Sequence, residues 1–307
     1  MLRRLVSLAA GIALAVGLPL PASASTTYCL PGGIGPGSAV VCQVWTGKVV
    51  RVSDGDTLQV DLAGDGTPVP RSIRLIDVQA MEQSVYASDR AKRRGDCHAL
   101  EATARLEQLV RAGGGIVRLT AQNPGSTSRD RPLRAVQVRI NGAWRDVGLD
   151  LIGRGLALWQ PFQSEWAWNT AYRTASQRAA RAGLNLFDTD ACGTGPFQAA
   201  RISVDVDYVG ESVRILNRSA SAIAVGGWWV RDSGLRRFTF PAHTMIGAGQ
   251  AVTVHVGTGT TTATDFYWRL PGPIFDNPTH DEQDHGDGAY LFDPQGDLRA
   301  WMIYPAG

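Results

Sequence analysis

The chain has 307 residues, a length that suggests about two domains on the usual prior of ~100–200 residues each. The formal net charge of +2 carries little meaning for the whole chain, but the charge is unevenly placed: residues 45–192 hold 20 Lys+Arg against 16 Asp+Glu, and residues 193–307 hold 8 against 12. No segment after residue 24 is long and apolar enough to cross a bilayer, which excludes a chain threaded through a membrane by later helices.

Residues 1–24 read as a secretory signal. Arg3 and Arg4 give a basic start, residues 5–18 an apolar run shorter than a membrane span, and Ala22-Ser23-Ala24 a small-residue cleavage site. The expectation is an exported, extracellular and monomeric protein. Cys29, Cys42, Cys97 and Cys192 remain, an even number that suits two disulfides in an oxidising compartment. Three pairings are possible. The favoured one joins Cys29–Cys42, closing a Gly/Pro-rich loop, and Cys97–Cys192, tying a helical region to the end of the first domain. No Cys-x-x-Cys pair supports a zinc site.

Residues 25–43 form a Gly/Pro/Ser leader, ordered only by its disulfide. The first domain is expected over 44–192. Lys48-Val49-Val50-Arg51-Val52 and Thr57-Leu58-Gln59-Val60 read as strands, because β-branched and apolar residues recur with polar ones between them. Asp54-Gly55-Asp56 is a turn with a carboxylate on each side of a glycine. A further strand runs through Ile73-Arg74-Leu75-Ile76-Asp77-Val78-Gln79-Ala80 and leads to Glu82. Pairing of these strands gathers carboxylates and a guanidinium at one mouth, suited to a hard cation and a phosphate.

The turn Asp54-Gly55-Asp56-Thr57, followed by Arg74-Leu75-Ile76 with Ala80 and Glu82, resembles the thermonuclease (staphylococcal nuclease) family, and the likeness runs from residue 45 to 192. It implies an α+β domain: a five-stranded OB-fold β-barrel with about three helices. It also implies hydrolysis of DNA or RNA phosphodiesters with one Ca2+. Carried over, Asp56 is a metal ligand, Ala80 offers its carbonyl to the metal, and Thr57 orients Asp56. Arg74 clamps the phosphate and Glu82 activates water. Gln79 stands where the family has a second metal-binding aspartate, so its carbonyl oxygen is the substitute ligand and metal choice is expected to shift; Asp77 is a weaker source of the missing carboxylate. Met81 replaces a family proline.

Residues 86–112 turn to helical spacing and are stopped by Gly113-Gly114-Gly115. The basic run Arg90-Ala91-Lys92-Arg93-Arg94 reads as a solvated helix face, and His98 as a packing or surface residue. Residues 116–119 are a strand. A Gly/Ser/Arg loop leads to residues 130–140, and Asn141-Gly142 makes a hairpin turn. This segment resembles the family's entry into its last barrel strand, which delivers a second catalytic arginine. Arg134 is placed in that role and Arg131 is the runner-up; Leu133 stands where the family has glycine. Helices follow over 146–154 and 159–182, with Trp166, Trp168 and Tyr172 expected in the core.

Residues 193–198 read as a linker, and 199–307 as an all-β domain of short strands separated by turns. Gly226-Gly227-Trp228-Trp229, Phe238-Thr239-Phe240-Pro241 and Gly286-Asp287-Gly288 with Leu291-Phe292-Asp293 resemble a lamin tail domain, which implies an immunoglobulin-like β-sandwich acting as a binding module for an unnamed surface or nucleic-acid ligand. Asp281, Glu282, Asp284 and Asp287 match no EF-hand spacing and read as a solvated loop, with calcium the alternative. The functional expectation is a secreted metal-dependent nuclease with a C-terminal binding module. The alternative is a non-catalytic extracellular binding protein that keeps the nuclease fold.

Overall fold

The computed structural model describes residues 25–29, 40–195, 201–278 and 286–306. The expected signal, residues 30–39 of the leader, residues 196–198 of the linker, and the acidic side chains 281–284 lie outside these residues.

The first domain starts with strand β1 (Ser25–Tyr28), antiparallel to the 14-residue β2 (Val41–Asp54). The leader is therefore strand-paired as well as tied by its disulfide. β2 bends at two register shifts, between Val49 and Arg51 and between Val52 and Asp54. Such bulges curve a strand, and β2 pairs in all with three neighbours along its length. β2 pairs with β3 (Thr57–Leu62), β3 with β4 (Arg71–Leu75), and β4 in parallel with Arg131–Ile140. Arg131–Ile140 pairs with Ile116–Ala121, which returns to β2, so five strands are hydrogen-bonded in a ring. Leu58, Val60, Ile73, Leu75, Val117, Leu119, Val136 and Val138 are buried in the core of this domain. β5 (Val78–Ala80) leaves the ring and pairs with Ala157–Trp159.

Helix α1 (Ala99–Ala112) buries Ala102, Leu106 and Leu109 against the same core. The helix expected from residue 86 is shorter: Gln83–Val85 and Arg94–Gly95 form a small hairpin around a single 3-10 turn. Glu107 draws Arg90 and Arg93 of this segment into ion pairs, so two members of the basic run serve the fold. α2 (Val147–Gly153) is capped by Asp146, which accepts from the Leu149 N–H at 2.9 Å. The third helical region divides into a strand, a 3-10 segment and α3 (Asn169–Arg181). Trp159, Trp168 and Tyr172 are fully buried, so they pack the core, while Trp166 is half-buried. Asn141 and Gly142 both have positive φ, 50° and 81°, and make the expected tight hairpin. No helix among the described residues is long and apolar enough to cross a membrane.

The second domain has a small two-stranded sheet, Ile223–Ala224 with Met245–Ile246, and two four-stranded ones. One joins Ile202–Asp207, Ser212–Asn217, Ala251–His255 and Asp265–Tyr267; the other joins Arg237–Thr239, Trp229–Asp232, Asp287–Phe292 and Leu298–Tyr304. Val213, Ile215, Val230, Phe240, Val254 and Leu291 fill the space between them, as alternation predicts.

The two domains are not independent beads. A third apolar cluster takes Met81, Ala99, Leu158, Ala179 and Phe187 from the first and Tyr290, Phe292 and Leu298 from the second. The ring of Phe187 meets that of Trp301 edge-on at 5.2 Å. Polar contacts cross beside it: Gln177 donates to the carbonyls of Ile303 and Pro305, and Arg299 to that of Thr189. Both favoured disulfides are present, Cys29–Cys42 and Cys97–Cys192. The second lies at the seam, where the Cys192 N–H donates to Asp297 Oδ1 at 2.8 Å.

Candidate active site

The turn between β2 and β3 builds the site. Asp54 Oδ1 accepts from the Asp56 N–H at 3.1 Å, the local bond that makes Asp a turn residue. Gly55 is required here, since a Cβ would lie 2.6 Å from Ala80 Cβ and 2.7 Å from Ala102 Cβ. The turn thus sits directly on β5 and α1, which brings Asp56 to β5: Asp56 Oδ2 accepts from the Ala80 N–H at 3.0 Å.

Register sets the next partners. Thr57 lies opposite Arg74 in the β3–β4 pairing. The Thr57 hydroxyl donates to Asp56 Oδ1 at 2.9 Å, and the buried Arg74 guanidinium forms an ion pair with the same oxygen. Arg74 Nη2 also donates to Gln79 Oε1 at 2.7 Å. The Gln79 amide nitrogen then donates to the Ala80 carbonyl at 2.9 Å and to Glu82 Oε1 at 3.2 Å. One continuous network therefore runs from Asp56 through Arg74 and Gln79 to Glu82.

These groups line a recess of about 210 Å³ together with Asp54, Tyr86, Arg129, Arg131 and Leu235. Burial, reinforced by the charge of Asp56, pushes the Asp54 carboxyl up to about 7; the Asp56 N–H and Arg74 oppose this only in part. Burial and the charges of Asp54, Glu82 and Asp56 raise the Tyr86 phenol, so it stays a neutral donor near pH 7.

The assignment of Arg134 is corrected. Its guanidinium donates to the Leu133 and Pro124 carbonyls and lies 4.4 Å over the Trp45 ring. Arg134 belongs with the loop held by buried Glu165, which accepts from Gln122 N, Asn123 N and the Ser126 hydroxyl. The recess receives Arg131 instead, whose Nη1 donates to Thr57 Oγ1 at 3.1 Å. Two residues three apart on a strand point to opposite faces, so only one of the two can reach the recess. Asp77 is also outside it: fully buried, with φ 56°, it accepts from the Phe162 N–H at 3.1 Å.

The expected calcium set of Asp56, Gln79 and Ala80 does not fit its own hydrogen bonds. Gln79 gives its carbonyl oxygen to Arg74 and aims its amide hydrogens at the Ala80 carbonyl and at Glu82. A cation beside Gln79 would meet amide N–H donors in place of the expected carbonyl oxygen, and would compete with them for the Ala80 and Glu82 oxygens. Positive charge in the recess comes from Arg74, Arg129 and Arg131. Elsewhere, Cys97, His98 and Cys192 bring possible ligand atoms within 4.8 Å of one another, but both cysteines are in the disulfide and hold no metal.

Sequence reasoning placed the Asp54 carboxylate at this mouth but gave it no role, and it missed Arg129, Tyr86 and Leu235. Asp54 was visible in the turn motif; Leu235 comes from the other domain, and no local pattern marks it.

Residues 197–306 match the family described as Lamin Tail Domain. No curated protein matches the chain. The C-terminal module is thus a lamin tail domain, whose immunoglobulin-like sandwich agrees with the two packed sheets.

Proposed function

We propose that this chain is an exported nuclease, whose first domain is an OB-fold of the thermonuclease type and hydrolyses phosphodiester bonds in nucleic acid. One observation carries the reading: Arg74, Arg131, Asp56 and Glu82, from three separate segments, line one recess. Of these, Asp56 and Arg74 are buried, and gathering buried charge of both signs costs stability through desolvation, which a purely structural barrel has no reason to bear. The ring of five strands and the three helices support the fold assignment.

In this reading Arg74 and Arg131 hold the phosphate oxygens and stabilise the charge that builds as phosphorus becomes five-coordinate. Arg74 is fixed for this by Asp56 and Gln79, and Arg131 by Thr57. Glu82 takes the proton of the attacking water. The new P–O bond forms, the bond to the departing sugar oxygen breaks, and that oxygen recovers a proton from solvent. The products are a phosphomonoester and a free hydroxyl.

The test is cleavage of single- and double-stranded DNA and RNA by the purified chain, in calcium, magnesium, manganese or chelator, beside Glu82→Ala. Cleavage lost in the variant supports the reading. No cleavage by the wild type in any condition defeats it. A second reading, a nucleic-acid-binding protein without catalysis, has one observation in its favour: Gln79 ties Glu82 into a hydrogen bond and engages Arg74. Oligonucleotide binding without any cleavage would select it.

A further inference from the structure

Apart from Leu235 and the ring of Tyr86, the recess is lined by charged or amide side chains. Tyr86 belongs to the first domain and is 58% exposed; Leu235 belongs to the lamin tail domain and is 37% exposed. Both are open to a ligand, and each comes from a different domain.

Leu235 is held there by construction. Arg231, buried on the tail's strand Trp229–Asp232, gathers the turn that follows it. Its Nε donates to the Asp232 carbonyl at 3.1 Å, and its Nη2 donates to the carbonyls of Ser233 and Gly234. Nη1 of the same guanidinium reaches Met81 Sδ at 3.8 Å, next in sequence to Glu82. At the far end of the turn Arg236 pairs with Asp232 at 2.6 Å. Leu235 therefore sits between two paired arginines, on a turn whose Arg231 touches Met81 of the first domain.

We propose that Tyr86 and Leu235 form a two-domain subsite for the nucleoside of a single-stranded nucleic acid whose phosphate lies on Arg74 and Arg131. The proposal rests on the reading of the recess as a phosphodiester site. Bases stack on aromatic side chains without regard to sequence, and an aliphatic neighbour adds apolar contact. At about 210 Å³ the recess is smaller than the ~300–1,000 Å³ pockets that engulf drug-sized ligands, so it takes a phosphate and leaves the base at the rim, where these two side chains stand. A single strand can bend into a recess walled by a second domain. A duplex, stiff over ~50 nm, resists local bending of that kind. Arg231 is a positioning residue, acting through the turn.

The test uses the full chain carrying Glu82→Ala, so that cleavage does not interfere, and reads anisotropy with fluorescein-labelled oligonucleotides, single-stranded dT10 and a ten-base-pair duplex. Tyr86→Ala and Leu235→Ala are each expected to weaken dT10 binding about five- to tenfold, the loss of one such contact. Leu235→Ala should also narrow the preference for single strand over duplex. Leu235→Met, which restores an apolar chain, should recover most of the affinity. Arg231→Met combined with Leu235→Ala should weaken binding no further than one of them alone, because both act through one turn. Unchanged dT10 affinity in Leu235→Ala, or equal losses on single strand and duplex, overturns the proposal. Failure of the wild type to cleave in the metal panel overturns the nuclease reading separately, since the anisotropy assay still reads the subsite.

Discussion

Exchanging the two neighbouring arginines separates catalysis from folding. Arg131 lines the recess, is half-buried, and donates to Thr57 Oγ1 at 3.1 Å. Arg131→Met removes a donor from where negative charge develops, and such losses cost about 10²- to 10³-fold in kcat, or ~2.7–4 kcal/mol. Its fold should hardly change, because one hydrogen bond at a partly wet site is worth about 1 kcal/mol. Arg134 is the opposite case, 8% exposed, with two carbonyl acceptors and the Trp45 ring beneath it. Two charged hydrogen bonds at ~1.5–3 kcal/mol each and a cation–π contact of ~0.5–2 set the gross loss in Arg134→Met. Burial also pulls the Arg134 pKa down, and the relief of that desolvation offsets part of the loss. The net is about 2–4 kcal/mol. At ~2–4 °C per kcal/mol for a domain of this size, the melting temperature should fall by about 5–15 °C. The assay pairs differential scanning fluorimetry with initial rates on single-stranded DNA, measured well below either melting point. A hundredfold loss of kcat in Arg134→Met at unchanged melting temperature, with Arg131→Met fully active, would refute the assignment and the register argument under it.

Three further outcomes are expected. Gln79→Asp removes the amide donors and adds a carboxylate beside Asp56 and Glu82, so calcium should raise its melting temperature; at 100 times Kd the gain is ~2.7 kcal/mol, and a variant blind to calcium counts against the donor argument. Asp287 is pushed up to about 8 by burial and by Asp232, from 3.8 in the unfolded chain, so between those values the folded protein keeps a proton that the unfolded chain has lost. Its contribution is complete below pH ~4 and is lost as pH rises through about 8, by at most ~1.4 kcal/mol per pH unit; Asp287→Asn should flatten the melting-temperature profile between pH 5 and 8, and an identical slope would contradict the burial. The Cys97–Cys192 bond spans 95 residues, and chain entropy for a loop of that length gives ~4.7 kcal/mol. Cys97→Ser with Cys192→Ser should therefore lower stability by a few kcal/mol in urea denaturation, whereas an unchanged midpoint would show that packing alone holds the end of the first domain in place.

What the sequence discloses about this fold is what short range determines. The Asp54-Gly55-Asp56-Thr57 turn is legible because its bonds close within two residues, and Arg74 follows because β3 and β4 are neighbours in the chain. The choice between Arg131 and Arg134 is not legible in this way. Their strand lies between β4 and Ile116–Ala121, and residues 133–138 are all buried, so the period-2 signal that would name the inward face is erased. Only the register of a parallel pairing across about sixty residues of chain decides it, Leu133 beside Arg74 and Arg134 beside Leu75. Leu235 is further out of reach, since its place depends on how one domain seats on the other.

Gln79 shows where local reasoning stopped one step short. A glutamine can be read as a carbonyl oxygen for a metal, yet the same side chain carries two donors, and its neighbours decide which end turns where. With Arg74 on one side and Glu82 on the other, the amide has one orientation that satisfies all three groups: oxygen to the guanidinium, nitrogen to the carboxylate. An aspartate at this position could accept from Arg74 but would repel Glu82, and a cation between the two carboxylates would relieve that repulsion. The amide removes the repulsion, and with it the local reason for a cation. On the proposed function, the same exchange leaves charge neutralisation of a phosphate to Arg74, Arg129 and Arg131, with Thr57 holding the last of these toward the recess. A site that relies on guanidinium groups gains most from being partly closed to water, since a lower local dielectric strengthens each contact they make. The turn at Leu235, held by Arg231, walls part of the recess, so on the proposed function the lamin tail domain would share in closing the site to water.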